Sequence, residues 1–288
     1  MRVAGGWLDY ELIDATDGNR LERWNDTILV RPDPQVIWHT QKKNILWNRA
    51  DAVYHRSGAG GGEWEYRRNL PAEWTVSWNG VMKLCVTPTG FKHTGVFPEQ
   101  AANWSLYADY IGRANRPIKV LNLFGYTGAA TVACLAAGAE VCHVDASKGM
   151  VAQAKRNVEA SGLKEKNVRY IVDDCQKFVA REIRRGSLYD AVIMDPPSYG
   201  RGPSGEVWRL EDNIYELIEL CRGVLTQKPL FFAVNSYTAG IAPSVMHYIL
   251  GSLFDGYGGH VTSDEIGLKV TESGLALPCG NTAIFVTL

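Results

Sequence analysis

Residues 118–128 read IKVLNLFGYTG. In this stretch a mostly apolar segment is followed directly by a turn that contains Gly125 and Gly128. The run is typical of a buried β-strand, and the small residues at 129–138, AATVACLAAG, predict a helix after the turn. Glycines in such a turn allow a close approach of the backbone to a ligand, and the amides of the helix N-terminus face that ligand. This strand, turn and helix predict a site for a nucleotide-like molecule.

The same alternation continues on the C-terminal side of the turn. Strands are predicted at 118–124, 139–145, 168–173, 189–195 and 229–236, and helices near 128–137, 147–161, 174–185, 208–226 and 243–254. Buried parallel strands that alternate with amphipathic helices are typical of a doubly wound α/β sheet. Two closing β segments at 259–270 and 281–288 predict a terminal hairpin. We therefore predict a Rossmann-like α/β fold with a seven-stranded, mostly parallel sheet whose last strand is antiparallel.

The N-terminal third has a different pattern. Residues 7–92 contain short β segments, such as YELIDA and DTILVRP, separated by turn signals. Eight of the nine tryptophans precede residue 105, where they serve either as core residues of a small β domain or as stacking surfaces for bases. We predict a β-rich N-terminal domain over 1–95 and an α/β domain over 96–288, with a connecting helix after Pro98.

Composition limits the classes of function. The formal net charge of the 288 residues is −1, which excludes a global field that attracts nucleic acid or anionic lipid. The six cysteines show no CxxC pairing and the six histidines no ligand spacing, so we expect reduced thiols and no metal site. An N-terminus without a signal peptide and a chain without a long apolar run predict a soluble, cytoplasmic protein.

Two acidic positions follow predicted strands. Asp145 ends the second strand, where a carboxylate can accept hydrogen bonds from ribose hydroxyls; alternatively, it caps the helix that begins near Ser147. After the third strand, Asp174 can accept the exocyclic amine of adenine while the amide of Cys175 donates to a ring nitrogen. The neighbouring Asp173 is the alternative helix cap.

The fourth strand ends in Asp195-Pro196-Pro197-Ser198-Tyr199. Two successive prolines cannot continue a hydrogen-bonded ladder, so they predict a stiff rim at the carboxyl edge, where ligands bind in such sheets. The glycine-rich stretch 198–205 then reads either as a lid, with Tyr199 stacking on a planar target and Arg201 contacting phosphate, or as an ordinary surface loop.

The segments LNLFGYTG, VDASKGMVAQAKRNVEASGL, DPPSYGRG and FKHTGVFPEQ resemble bacterial S-adenosylmethionine-dependent methyltransferases related to the 23S rRNA cytosine-5 methyltransferases, over roughly residues 90–240. The resemblance implies a class I methyltransferase fold, S-adenosyl-L-methionine as the cofactor, and a base in RNA, possibly cytosine C5, as the methyl acceptor. Asp195, Pro196, Pro197 and Ser198 would form the site of chemistry. The expected cofactor site comprises Gln100, Asn122, Phe124, Gly125, Tyr126, Thr127, Gly128, Asp145, Ala146, Asp174, Cys175 and Asp195.

Two features depart from that family pattern. The related rRNA enzymes carry an N-terminal RNA-binding PUA domain, for which this chain has no room before its β-rich part. Methylation of cytosine C5 also requires a thiolate that adds to C6, and the family's cysteine follows the fifth strand, where residues 233–238 read AVNSYT. Either the acceptor is another atom, or another thiol takes part. If the last strand is antiparallel, Cys279 borders the active site as the candidate nucleophile; the alternative is a buried packing cysteine.

Other functions remain open from the sequence. The acceptor could be a protein side chain or a small molecule, since the nearly neutral charge permits both. A nicotinamide-dependent oxidoreductase also uses a glycine turn and an acid after the second strand, but the missing third glycine and the DPPSY rim disfavour it. A cofactor-binding module without catalysis is the remaining alternative.

Overall fold

The structure is a computed structural model, and it describes residues 1–58, 61–90, 92–201 and 207–288. The chain forms two compact units, Met1–Ala102 with Ile266–Cys279, and Asn103–Glu265 with Gly280–Leu288. These units separate at residue 102, and the first also takes up a C-terminal segment, so the predicted domain boundary after residue 95 stays a proposal. Residues 202–205 of the predicted lid lie outside the described residues.

The helices and strands are numbered in chain order. The strands β1 to β17 are Arg2–Ala4, Tyr10–Thr16, Asn19–Trp24, Thr27–Pro32, Ala52–Arg56, Gly62–Tyr66, Trp74–Trp78, Met82–Val86, Lys119–Leu123, Glu140–Asp145, Val168–Val172, Ala191–Met194, Tyr199–Arg201, Val207–Arg209, Phe231–Ser236, His260–Lys269 and Ala276–Val286. The helices α1 to α6 are Ala101–Arg113, Ala129–Ala136, Lys148–Ala160, Cys175–Arg185, Leu210–Arg222 and Pro243–Leu253. Short 3-10 helices lie at Ile45–Trp47 and Pro98–Gln100.

The first unit is rich in strands, as the sequence predicts. It contains a five-stranded sheet in the order β2-β3-β4-β5-β6 and a separate pair, β7-β8. Trp24, Trp47 and Trp78 are buried there, which favours the core interpretation for these tryptophans. A small β domain needs such large side chains because it has few apolar residues with which to fill its interior.

The second unit contains most of a sheet in the order β1-β16-β17-β15-β12-β9-β10-β11. Strands β9, β10, β11, β12 and β15 are parallel, and β17 pairs antiparallel with β15, which confirms the predicted fold class. The sheet has eight strands instead of seven because β1 pairs with β16 at Ile266 to Leu268. Chain order reverses on the two sides of β9, so the switch point lies between β9 and β12, the position at which open α/β sheets bind ligands.

Helix α5 begins two residues later than predicted, and the reason is a hairpin that the sequence did not reveal. Residues Tyr199–Arg201 and Val207–Arg209 pair as antiparallel strands, so residues 207–209 extend before the helix starts at Leu210. The described part of the predicted lid after Ser198 is therefore the strand β13, and its partner β14 lies beyond the predicted lid. No helix within the described residues is long and apolar enough to cross a membrane.

Candidate functional site

The switch point brings two chain segments side by side in the second unit. Leu123 at the end of β9 pairs with Met194 at the end of β12. Phe124 and Asp195 therefore leave the sheet next to each other, as the first residues beyond its carboxyl edge. The predicted glycine turn and the predicted DPPSY rim meet at this edge.

The backbone of residues 124–128, which we call the cofactor loop, is held by hydrogen bonds within the fold. The Phe124 amide donates to the Cys175 sulfur over 3.3 Å, and the Gly125 amide donates to the Val144 carbonyl over 3.0 Å. Phe124 and Tyr126 have φ angles of 54° and 50°, which non-glycine residues rarely adopt. These contacts fix the loop in a conformation that the free chain would disfavour.

The two glycines of the loop are explained by contacts inside the protein. A Cβ atom at Gly125 would lie 2.4 Å from the imidazole Cε1 of His143, and one at Gly128 would lie 2.6 Å from the Cβ of Ala154. Gly128 also has a φ of 81°, which favours glycine. We expected these glycines for the sake of a ligand, but close packing against the strand and helix below already requires them.

Asp145 has the geometry expected of a ribose-binding carboxylate. Its Oδ2 accepts a hydrogen bond from the Tyr126 amide over 2.9 Å, and its Oδ1 accepts one from the Ser147 amide over 2.8 Å. Each oxygen keeps a second lone pair, and the residue is only partly buried. The helix cap is Ser147, whose hydroxyl accepts the Met150 amide. Asp145 is thus oriented by the cofactor loop and can still accept two hydroxyl groups.

Asp174 is the cap of helix α4, a role that the sequence left to Asp173. Its Oδ1 accepts the Lys177 amide over 2.9 Å, and Oδ2 has no hydrogen-bond partner within the described residues. Asp173 instead pairs with Arg181. Asp174 is exposed. Cys175 is the first residue of helix α4, so its backbone amide has no acceptor within the helix. The Asp174 carboxylate and the Cys175 amide can therefore hydrogen-bond to the edge of an adenine ring.

Other predicted cofactor residues are placed less directly. Asn122 is buried, and its amide nitrogen donates to the Thr131 hydroxyl over 2.9 Å, so one end of its side chain is used inside the fold. Thr127 is buried, and its carbonyl accepts the Asn157 amide group over 2.7 Å. Ala146 is exposed beside Asp145.

The DPPSY rim is held from two sides. The Ser198 hydroxyl accepts a hydrogen bond from the Thr238 hydroxyl over 2.8 Å, and the Pro197 carbonyl accepts one from the Trp208 indole over 2.6 Å. Asp195 is partly buried at the start of the rim. Sequence reasoning missed both Thr238 and Trp208, although the isolation of Trp208 as the one tryptophan after residue 104 was an available signal.

The remaining predicted site residues are Tyr199, Arg201, Gln100 and Cys279. Tyr199 is 53% exposed at the start of β13. Arg201 ends the same strand, but its side chain and residues 202–206 lie outside the described part of the chain. Gln100 and Cys279 both belong to the first unit, and both side chains are buried.

Cys279 has surroundings that favour the protonated thiol. It is 5% exposed, and its sulfur accepts a hydrogen bond from the Arg20 guanidinium over 3.6 Å. Burial raises the pKa of the thiol, against the opposing effect of Arg20. All six cysteines are unpaired and buried, and burial raises the pKa of Cys175 to about 12. These surroundings favour the packing alternative for Cys279.

Comparison with known proteins gives the family of this chain. The family model of the S-adenosylmethionine-dependent methyltransferases matches residues 54–222. The chain belongs to this family, which confirms the predicted family and its cofactor. A crystal structure of the SAM-dependent methyltransferase from Agrobacterium tumefaciens superposes with a TM-score of 0.92 and 37% identity, covering 99% of this chain and 93% of that one.

Curated relatives carry more specific names. Ribosomal RNA large subunit methyltransferase I of Photobacterium profundum is 28% identical over 184 residues, which is 64% of this chain and 41% of that protein. Ribosomal RNA large subunit methyltransferase K/L of Shewanella baltica is 32% identical over 132 residues, which is 46% of this chain and 17% of that protein. The matched region therefore spans less than half the length of either relative.

Proposed function

We propose that this chain transfers the methyl group of S-adenosyl-L-methionine to a base in RNA, with ribosomal RNA as the substrate. The observation that carries the proposal is the Asp145 carboxylate, which is held by the cofactor loop at the sheet's switch point, with the DPPSY rim beginning at the neighbouring strand end. The RNA part rests on the names of the two curated relatives. The predicted cytoplasmic location belongs to the same proposal.

The cofactor would be held at three places. Asp145 would accept the ribose hydroxyls, Asp174 and the Cys175 amide would hold the adenine edge, and residues 122–128 would border the rest of the molecule. Asp145 fits this role because its two oxygens are oriented by amides yet each can accept one more hydrogen bond. We also assign Gln100 to the cofactor or substrate, following the family resemblance.

Catalysis requires little more than alignment. The bound sulfonium supplies an already activated methyl group, so the protein must place the acceptor in line with it and exclude water. We assign the positioning of the acceptor to Asp195, Pro196, Pro197 and Ser198. The Thr238 hydroxyl donates to Ser198, which leaves the Ser198 proton available for a hydrogen bond to the acceptor. Tyr199 and Arg201 are proposed substrate contacts.

Which atom of the base accepts the methyl group depends on whether Cys279 can act as a nucleophile. Methylation at cytosine C5 needs a thiolate, and burial raises the pKa of this thiol, which disfavours ionisation near pH 7. A ring nitrogen or an exocyclic amine of a base can attack the methyl group through nitrogen and needs no covalent activation by a thiolate. The proposal therefore names an RNA base as the substrate and leaves C5 to the test of Cys279.

A labelling experiment tests the proposal. The purified protein is incubated with methyl-labelled S-adenosylmethionine and, separately, with RNA, protein and small-molecule fractions from a strain in which the gene is deleted. We expect label in the RNA of the deletion strain and much less in RNA from the parent strain, whose sites are already methylated. Label confined to protein or small molecules, or no label in any fraction, would overturn the RNA assignment.

A further inference from the structure

His143 lies directly beneath the cofactor loop. It is on β10, two residues before Asp145, and it pairs in register with Asn122 of β9. The side chain is fully buried, and burial lowers its pKa to about 4, so the imidazole is neutral near pH 7. His143 is therefore an uncharged ring that packs against the buried side of the cofactor loop.

The ring is anchored through one nitrogen only. Its Nδ1 lies 2.9 Å from the Thr131 hydroxyl, which in turn accepts the Asn122 amide group over 2.9 Å. The Thr131 hydroxyl can donate to Nδ1 or accept from it, so this nitrogen has its partner in either neutral tautomer. Nε2 is buried and has no hydrogen-bond partner within the described residues. Burying an unpaired polar nitrogen is unfavourable, so hydrogen bonding alone does not explain why a histidine occupies this position.

The contact with Gly125 supplies an explanation. A Cβ atom at position 125 would lie 2.4 Å from Cε1 and 2.5 Å from Nδ1 of the imidazole, both impossible distances for unbonded atoms. Gly125 is not in the left-handed region, whereas its neighbours Phe124 and Tyr126 are. The backbone conformation of residue 125 therefore does not require glycine, and the space taken by the imidazole does.

We infer that His143 is a positioning residue for the cofactor. Its ring packs against the Gly125 peptide and thereby fixes the position of the loop backbone between Phe124 and Tyr126. The amides on both sides of that peptide make the contacts that orient the site, since Phe124 donates to Cys175 and Tyr126 donates to Asp145. A shift of the Gly125 peptide would displace both amides. This inference rests on the proposed cofactor site.

A double substitution tests this. We expect Gly125→Ala to weaken binding of S-adenosylhomocysteine, measured by calorimetry, by about tenfold or more, because the added methyl group overlaps the imidazole. Adding His143→Ala to Gly125→Ala should recover most of that loss, since the methyl group then occupies vacated space. The pair Gly125→Ala with His143→Ser is the second variant, in which a hydroxyl replaces the Nδ1 contact with Thr131. In all variants KM for the cofactor should change more than kcat.

The matched control is Gly128, whose added Cβ would meet Ala154 instead. His143→Ala should not rescue Gly128→Ala. If neither double variant at position 125 binds better than Gly125→Ala, or if rescue appears equally at position 128, the positioning role is wrong. Failure of the unaltered protein to bind S-adenosylhomocysteine would instead overturn the proposed function and this inference with it.

Discussion

The Thr238 hydroxyl donates a hydrogen bond to the Ser198 hydroxyl over 2.8 Å, and this bond joins the segments that follow β12 and β15. Ser198 is the fourth residue of the rim that begins at Asp195, and Thr238 lies two residues beyond the end of β15. A hydroxyl that already accepts one hydrogen bond has a restricted direction in which to donate its own proton. The orientation of Ser198 is thus set from the neighbouring strand.

Replacing Thr238 by valine should slow methyl transfer without weakening cofactor binding. Valine keeps the shape of threonine but cannot donate to Ser198, so the acceptor loses a defined partner and kcat should fall by about tenfold. Single-turnover transfer to RNA measures the rate, and calorimetry measures the affinity for S-adenosylhomocysteine. Thr226→Val is the control, since its hydroxyl contacts Asp190 at the opposite edge of the sheet. Equal rates for the two variants would contradict the assigned role of Ser198.

Substitutions at Asp174 should separate helix capping from adenine binding. In Asp174→Asn the remaining oxygen can still cap α4, so the free energy of unfolding should change by only about a few tenths of a kcal/mol. An amide group in place of Oδ2 cannot accept a hydrogen bond from an amine, and the Kd for S-adenosylhomocysteine should rise by about tenfold. Asp174→Ala should in addition lose about 1 kcal/mol of stability.

Asp173→Asn is the matched control for this series. Its carboxylate pairs with Arg181 and has no assigned contact with the cofactor. Its Kd should stay close to that of the unaltered protein. Unchanged affinity in Asp174→Asn, or an equal loss in Asp173→Asn, would show that adenine is held elsewhere.

Cys279→Ala should leave methyl transfer largely intact. The thiol is buried against Arg20, and burial raises its pKa, so little thiolate is available to attack a base near pH 7. The rate of label transfer to RNA from the deletion strain measures this outcome. Loss of transfer in both Cys279→Ala and Cys279→Ser, with cofactor binding retained, would instead establish a nucleophile and make cytosine C5 the acceptor.

His143 should make the protein less stable as the pH falls. Burial lowers its folded pKa from 6.5 to about 4, so between these values the unfolded chain binds a proton that the folded protein does not. Stability from this group is complete above pH 6.5 and is lost down to about pH 4, by about 3 kcal/mol in total. Urea unfolding of His143→Gln should therefore show a smaller loss over this range than the unaltered protein. The exposed His247 gives the control His247→Gln, which removes a histidine from the surface instead of from the interior.

The α/β architecture could be predicted because its central strands, β9, β12 and β15, are almost entirely buried. The runs at 118–124 and 189–195 are mostly apolar, as buried parallel strands are, and the second run ends in Asp195. The short hairpin of β13 and β14 was missed because its described arms have three residues each and no alternating pattern. A pattern of period two needs more residues than that to be recognised.

The site itself was predictable to the extent that it follows strand ends. Asp145 and Asp174 could be named as candidates because the carboxyl ends of parallel strands meet at one edge. Thr238 and Trp208 were missed because their hydrogen bonds to Ser198 and Pro197 arise only when distant segments pack. The reason for Gly125 also required the fold, since His143 is close to it only across neighbouring strands.

The central claim is that the cofactor lies across the carboxyl edge between the loop 124–128 and Asp174, with its ribose on Asp145. A crystal structure of the protein with S-adenosylhomocysteine tests this most directly. We predict both ribose hydroxyls within hydrogen-bonding distance of the Asp145 carboxylate and the adenine edge at Asp174 and the Cys175 amide. A complex in which the Asp145 oxygens contact only the Tyr126 and Ser147 amides, with the nucleoside bound elsewhere, would contradict it.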